Sequence, residues 1–177
     1  MNKDAYKKIE PHPLEKLQHS RVALSDWFER EHDKFSIALS LTFKQVLEIK
    51  TPLGTYARSL TREDAEKLIE RYMTKLNRQF YGRRAADKKI KSLLYIPVIE
   101  GKISKKHLHA HLSIGGFPLN ISNDEILERV IHAKSLVRDI DKEFKVKSKW
   151  SSGWNSYIAK EAGRFDTDNV CWNLVNM

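Results

Sequence analysis

Hydrophobic and polar residues alternate most cleanly from Phe35 to Phe43. Phe35, Ile37, Leu39, Leu41 and Phe43 fall on one side, and Ser36, Ala38, Ser40 and Thr42 on the other. A period of two is the strand period, so this segment is expected to be a core strand. Its second face is small and weakly polar, the kind of surface over which a substrate can lie. Leu93 to Ile99 is almost wholly apolar and predicts a buried strand. Pro97 has no N–H to give to a ladder, which places it at an edge or a bulge. Glu100-Gly101 opens a short basic loop to Lys106, and the segment that follows from His107 predicts a strand that stops at Gly115-Gly116 and forms an antiparallel hairpin with the one before the loop. Phe144, Val146, Ser148 and Trp150 alternate with Lys145, Lys147 and Lys149, giving a strand with an apolar and a cationic face. Asn169 to Val175 predicts a final strand.

Between these runs the period lengthens to that of a helix. Thr61 to Asp64 fits a capping box, and Ala65, Leu68, Ile69, Tyr72, Leu76 and Phe80 follow at helical spacing, predicting a helix over 62–80 that stops near Gly82. Arg83, Arg84, Lys88, Lys89 and Lys91 are expected to form a basic loop. Ser122 to Glu125 is a second box, opening a helix over about 123–140 lined by Ile126, Val130, Ala133, Val137 and Ile140. Leu14, Leu17, Val22, Leu24, Trp27 and Phe28 predict a helix over 13–31, after a polar arm, residues 1–12. Pro52 and Gly54 mark a turn, the tip of a hairpin in residues 44–60. A short helix, 154–162, is expected to carry Trp154, Tyr157, Ile158 and Lys160. The sum is an α+β fold, a central antiparallel sheet of about five strands with flanking helices. Residues 1–34 form an N-terminal arm and helix, and 35–177 the main domain. No repeat, low-complexity tract or linker divides it.

Composition narrows the partners. A chain of 177 residues can bury one proper core. Its net charge of +9 suits a polyanion, most often nucleic acid. The single cysteine, Cys171, excludes an intrachain disulfide and a zinc site built from cysteines, which fits a reducing, cytoplasmic setting. No apolar run follows the charged first residues, so no secretory signal is expected, and nothing approaches the ~20 apolar residues of a membrane span.

The chemistry concentrates at His107, His109 and His111, three of the seven histidines, at alternate positions of one predicted strand. All three imidazoles then face one side, a good start for a divalent metal site. At ~3.3 Å per residue, His107 and His111 lie ~13 Å apart, so only two adjacent imidazoles can share an ion. His109 belongs to either pair. Glu100 precedes the hairpin loop; if it lies opposite His107, its carboxylate joins the site, which favours His107 as the partner of His109. Two nitrogens and a carboxylate leave positions for a phosphate oxygen and water, an arrangement suited to Mn²⁺ or Mg²⁺, with zinc also compatible. Asp166 and Asp168 are spare ligand candidates, although a solvated turn accounts for them.

Tyr157 and Lys160 are three apart and share a helix face. A phenol is a poor nucleophile at neutral pH without help. A phosphate polarised by a metal, with an ammonium nearby, lowers that barrier, and attack would store the phosphate on the tyrosine oxygen.

His-Leu-His at 107–109 after a Glu-bearing strand, followed by Tyr157-Ile-Ala-Lys160, resembles the HUH endonucleases, and among them the single-tyrosine Rep group of rolling-circle initiators and related transposases. Leu39-Ser-Leu-Thr-Phe43 is similar to that family's first motif. The three motifs occur in family order, and the resemblance covers roughly residues 35–163. It implies a Rep-like sheet related to the ferredoxin-like fold, and a single-stranded or hairpin DNA substrate. It also implies a divalent metal on the histidine pair, attack by Tyr157 to give a 5′-phosphotyrosine and a free 3′-OH, and Lys160 as a positioning group. The family pattern needs two histidines where this strand offers three. No Gly-x-x-x-x-Gly-Lys-Ser/Thr phosphate loop is present, so a separate helicase would unwind the DNA. Two other functions fit the same residues. One is a non-catalytic nucleic-acid module, with Lys145–Lys149 on phosphates and Trp150 or Trp154 on bases. The other is a metal-dependent nuclease without a covalent intermediate.

Overall fold

A computed structural model describes residues 13–101, 107–148, 153, 154, 157 and 169–177. The predicted arm at 1–12, Lys149, Trp150, Ile158, Lys160, Asp166 and Asp168 lie outside the described residues, as do the side chains of Leu14 and Leu17. In order, the elements are α1 (Pro13–Arg30), β1 (Phe35–Phe43), β2 (Val46–Thr51), β3 (Gly54–Ser59), α2 (Arg62–Asp87), β4 (Leu94–Glu100), β5 (His109–Gly115), α3 (Asn123–Ser135) and β6 (Ile140–Ser148). The fold is α+β. Four strands pair antiparallel in the order β4-β5-β1-β6, and β2 and β3 form a separate hairpin around Pro52 and Leu53.

The sheet thus has four strands among the described residues, not about five. The predicted last strand is reduced to two bridges, Val98 with Val170 and Tyr95 with Asn176, on either side of a 3₁₀ turn at Trp172–Leu174. These bridges run along the outer edge of β4. Pro97 occupies an outward position on that edge strand, where its missing N–H removes no bond to β5, and its carbonyl accepts from the Cys171 N–H at 3.0 Å.

One sheet face carries the main core. Ile37, Leu39, Leu41 and Phe43 of β1 and Ala110, Leu112 and Ile114 of β5 pack with Leu68, Ile69, Tyr72 and Leu76 of α2 and with Ile126, Val130 and Ala133 of α3. α2 is fixed at its start by a complete capping box between Thr61 and Asp64. The Arg58 guanidinium grips the Asp64 carboxylate through both nitrogens, at 2.5 and 2.8 Å, and so ties β3 to the helix. Gly82 leaves helical geometry (φ 74°), as its place after the apolar stripe predicts, but a further turn carries Arg83 and Arg84 to Asp87. Those two arginines are therefore helical and not part of a loop. α3 ends at Ser135, before Val137 and Ile140, because the chain turns there into β6. Its Ser122 cap accepts from the Glu125 N–H at 3.2 Å, while the Glu125 carboxylate bonds Arg129.

The opposite face holds a smaller apolar cluster of Phe28, Phe35, Ile96, Val98 and Val170. Phe35 is here, not beside Ile37 as strict alternation predicts. The pairing of β1 with β5 is irregular between Phe35 and Ile37, and the extra residue turns the ring to the other face. Gly115 permits the approach: a Cβ there would lie 1.8 Å from the Lys34 carbonyl oxygen. α1 covers this cluster with Leu24, Trp27 and Phe28. No helix among the described residues is long and apolar enough to cross a membrane.

Candidate metal centre

Beside the smaller cluster the same face turns polar. Glu100 of β4 pairs with His109 of β5, and His109 with Thr42 of β1. One step along, Val98, His111 and Ser40 form the next row, and Ser40 is followed by Lys145 of β6. Paired residues project to the same side, so the register alone gathers a carboxylate and two imidazoles.

The His109 and His111 Nε2 atoms lie 3.5 and 3.6 Å from Glu100 Oε2. All three ligand atoms lie within 4.8 Å of one another. Ligands about 2.1 Å from a common ion stand roughly 3.0–3.4 Å apart in octahedral or tetrahedral geometry, and the two contacts to the carboxylate are close to that spacing. Glu100 is 1% exposed and His111 3%. A carboxylate and two imidazoles gathered this closely could hold a metal ion.

Both rings are aimed from behind. The His109 Nδ1 is 2.9 Å from the His107 carbonyl oxygen. A carbonyl only accepts, so this Nδ1 donates, and Nε2 is left facing Glu100. The His111 Nδ1 is 2.9 Å from Ser40 Oγ, which leaves its Nε2 facing Glu100. Gln45 sets the frame. Its side-chain oxygen accepts from the Leu108 N–H and its amide donates to the Leu108 carbonyl, each at 3.0 Å. This clamp fixes the entry to β5 and with it the His107 carbonyl that orients His109.

His107 is the correction. It precedes β5, its ring is exposed, and Glu100 lies opposite His109 rather than opposite His107. The ladder ends there because Gly101 (φ 110°) turns the chain away; a Cβ at that position would meet the His107 carbonyl oxygen at 2.5 Å. The pair that meets Glu100 is His109 and His111, and His107 contributes its backbone. Ser40 was visible in the sequence only as a member of the small polar face. Gln45 had no local signal at all.

Tyr157 stands over this cluster. Its ring centroid is 5.0 Å from that of His111, and it stacks on Trp154 at 5.5 Å and 22°. Trp154 also meets the edge of His111, and its indole N–H donates to Ser113 Oγ at 3.4 Å. Gly153, Trp154 and Tyr157 are helical where described. The structure therefore brings together Glu100, His109, His111 and Tyr157. Cys171 lies apart in the main core, where burial pushes its thiol up to about 12.

Comparisons with family models, with curated proteins and with solved structures return no match to this chain. The two histidines and one carboxylate define a centre able to hold a divalent ion on an α+β scaffold.

Proposed function

We propose that this protein is a metal-dependent, single-tyrosine endonuclease of the HUH, Rep-like type, which nicks and rejoins single-stranded DNA and initiates rolling-circle replication or a related transposition. The observation that carries the proposal is the position of Tyr157, its ring 5.0 Å from that of a histidine whose Nε2 faces a buried carboxylate. The basic charge of +9 supports a polyanionic substrate.

Glu100, His109 and His111 would hold Mn²⁺ or Mg²⁺, which when bound supplies Lewis-acid polarisation of the scissile phosphate. Ser40 and the His107 carbonyl keep the two Nε2 atoms aimed inward. Tyr157 supplies the nucleophile. Its oxygen bonds to phosphorus, the bond from phosphorus to the 3′ oxygen breaks, and the proton lost by the phenol is matched by the one gained by the 3′-OH. The phosphate stays on Tyr157 as a 5′ ester, and attack by a 3′-OH reverses the step. Lys160 is the proposed helper of the tyrosine, and a separate helicase the proposed source of single strands.

The test is a denaturing gel of labelled single-stranded oligonucleotides incubated with the protein and Mn²⁺. The expected result is a slow-migrating protein–DNA adduct that disappears with Tyr157→Phe and with chelator, while DNA binding persists. Cleavage that survives Tyr157→Phe would point to direct hydrolysis by water. No cleavage across a broad oligonucleotide library would leave a binding module.

A further inference from the structure

The metal centre is walled on one side and open on the other. Towards β4, Ile96 and Val98 are buried beneath Phe28 and Val170. Towards β6 there is a groove of about 370 Å³. Ala38 and Ser40 form its floor, Lys145 and Lys147 one side, and the stacked rings of Trp154 and Tyr157 the other. The rows across the sheet run His111, Ser40, Lys145 and then Ser113, Ala38, Lys147. At ~4.8 Å between strands, the lysine backbones lie roughly 10 Å from that of β5, so a phosphate over the lysines is a different one from a phosphate at the metal centre.

We infer that this groove is a subsite for one unpaired nucleotide next to the scissile phosphate, with Lys145 and Lys147 holding its flanking phosphate and the small floor at Ala38 and Ser40 admitting its sugar and base. The inference rests on the proposed single-stranded DNA substrate and adds the direction in which the strand leaves the site. Three observations support it. Both lysines are exposed and share the face of the metal centre. The aromatic wall offers a flat surface of the kind on which bases stack. The volume is near the lower end of small-ligand sites, ~300–1,000 Å³, and suits one nucleotide rather than a base pair.

The test is equilibrium binding of a fluorescein-labelled single-stranded oligonucleotide by anisotropy, in EDTA, over a series of KCl concentrations. Each phosphate contact on a single strand contributes about 0.7 to the slope of log K against log[salt]. Lys145→Ala with Lys147→Ala releases the one phosphate they hold and should therefore lower the slope by about 0.7, and Arg71→Ala, on the helix packed against the other sheet face, should leave it unchanged. Ala38→Leu, checked for folding by thermal melting, should weaken binding by filling the floor. An unchanged slope in the double variant, or an equal fall with Arg71→Ala, would overturn the subsite. Because no metal is present, the outcome is independent of covalent chemistry. An adduct without a slope change would remove the groove and leave the endonuclease; a slope change without an adduct would do the reverse.

Discussion

His111 and Leu112 are consecutive residues of β5, yet they belong to different problems. Leu112 lies fully buried in the cluster formed with α2 and α3, where shape and apolar area matter and many side chains share the load. His111 lies on the other face, nearly as buried, where a single nitrogen must point at one carboxylate oxygen. Burial on the first face is a source of stability. On the second it raises the cost of an isolated charge, and the carboxylate sits with two imidazoles in a cluster that could hold a metal ion.

The neighbouring pair offers the strongest way to break this contrast. Leu112→Ala should lower the unfolding free energy by about 2–5 kcal/mol, read by urea titration, and leave a Mn²⁺-dependent rise in Tm in the protein that still folds. His111→Ala should abolish the Mn²⁺-dependent rise. If the histidine variant keeps that rise, the metal assignment fails and both faces are simply core.

A finer test acts one atom behind the ligands. Ser40→Ala removes the hydroxyl that meets the His111 Nδ1, and the metal affinity should fall by about 10–100-fold, measured by calorimetry, with little change in Tm. A large fall in Tm without a fall in affinity would make Ser40 a packing residue.

The smallest effect belongs to the helix that roofs the core face. The Arg58 guanidinium, with help from Thr61, holds the Asp64 carboxyl well below the usual carboxylate range. A lowered folded value means that the unfolded chain takes up the proton first. This contribution is therefore complete above the ordinary value of ~3.9 and fades as pH falls through the lowered one. Urea midpoints taken from pH 6 to pH 3 should fall more steeply for the native chain than for Asp64→Asn. Thr61→Ala, which removes the N-cap hydroxyl, should cost about 1 kcal/mol at neutral pH.

Periodicity made much of this legible. Alternation identified β1, β5 and the apolar face of β6, and helical spacing identified α2 and the start of α3. Strand geometry argued against three imidazoles on one ion, and the hairpin pointed to Glu100 as the carboxylate beside the histidines, where the register places it. Register was not legible, because it depends on where Gly101 turns the chain and ends the ladder, and that moved the pair from His107–His109 to His109–His111. Phe35 was misplaced for a similar reason, a local irregularity that composition does not encode. Gln45 acts across 63 residues of sequence through a side chain bonded to backbone, which leaves no periodic trace.

The clamp at Leu108 and the close approach at Gly115 have a consequence for how β5 can change over time. Both ends of the strand are pinned, and its two sides have opposite duties. Inserting one residue between the pins would turn Ala110 and Leu112 into the groove and the imidazoles towards α2. Inserting two would restore the faces but shift the imidazoles ~6.6 Å along the strand from Glu100. Homologous chains should therefore vary freely in which apolar residue stands at 112 or 114 and show no insertion or deletion between 108 and 115. In this strand, length is inherited more strictly than composition.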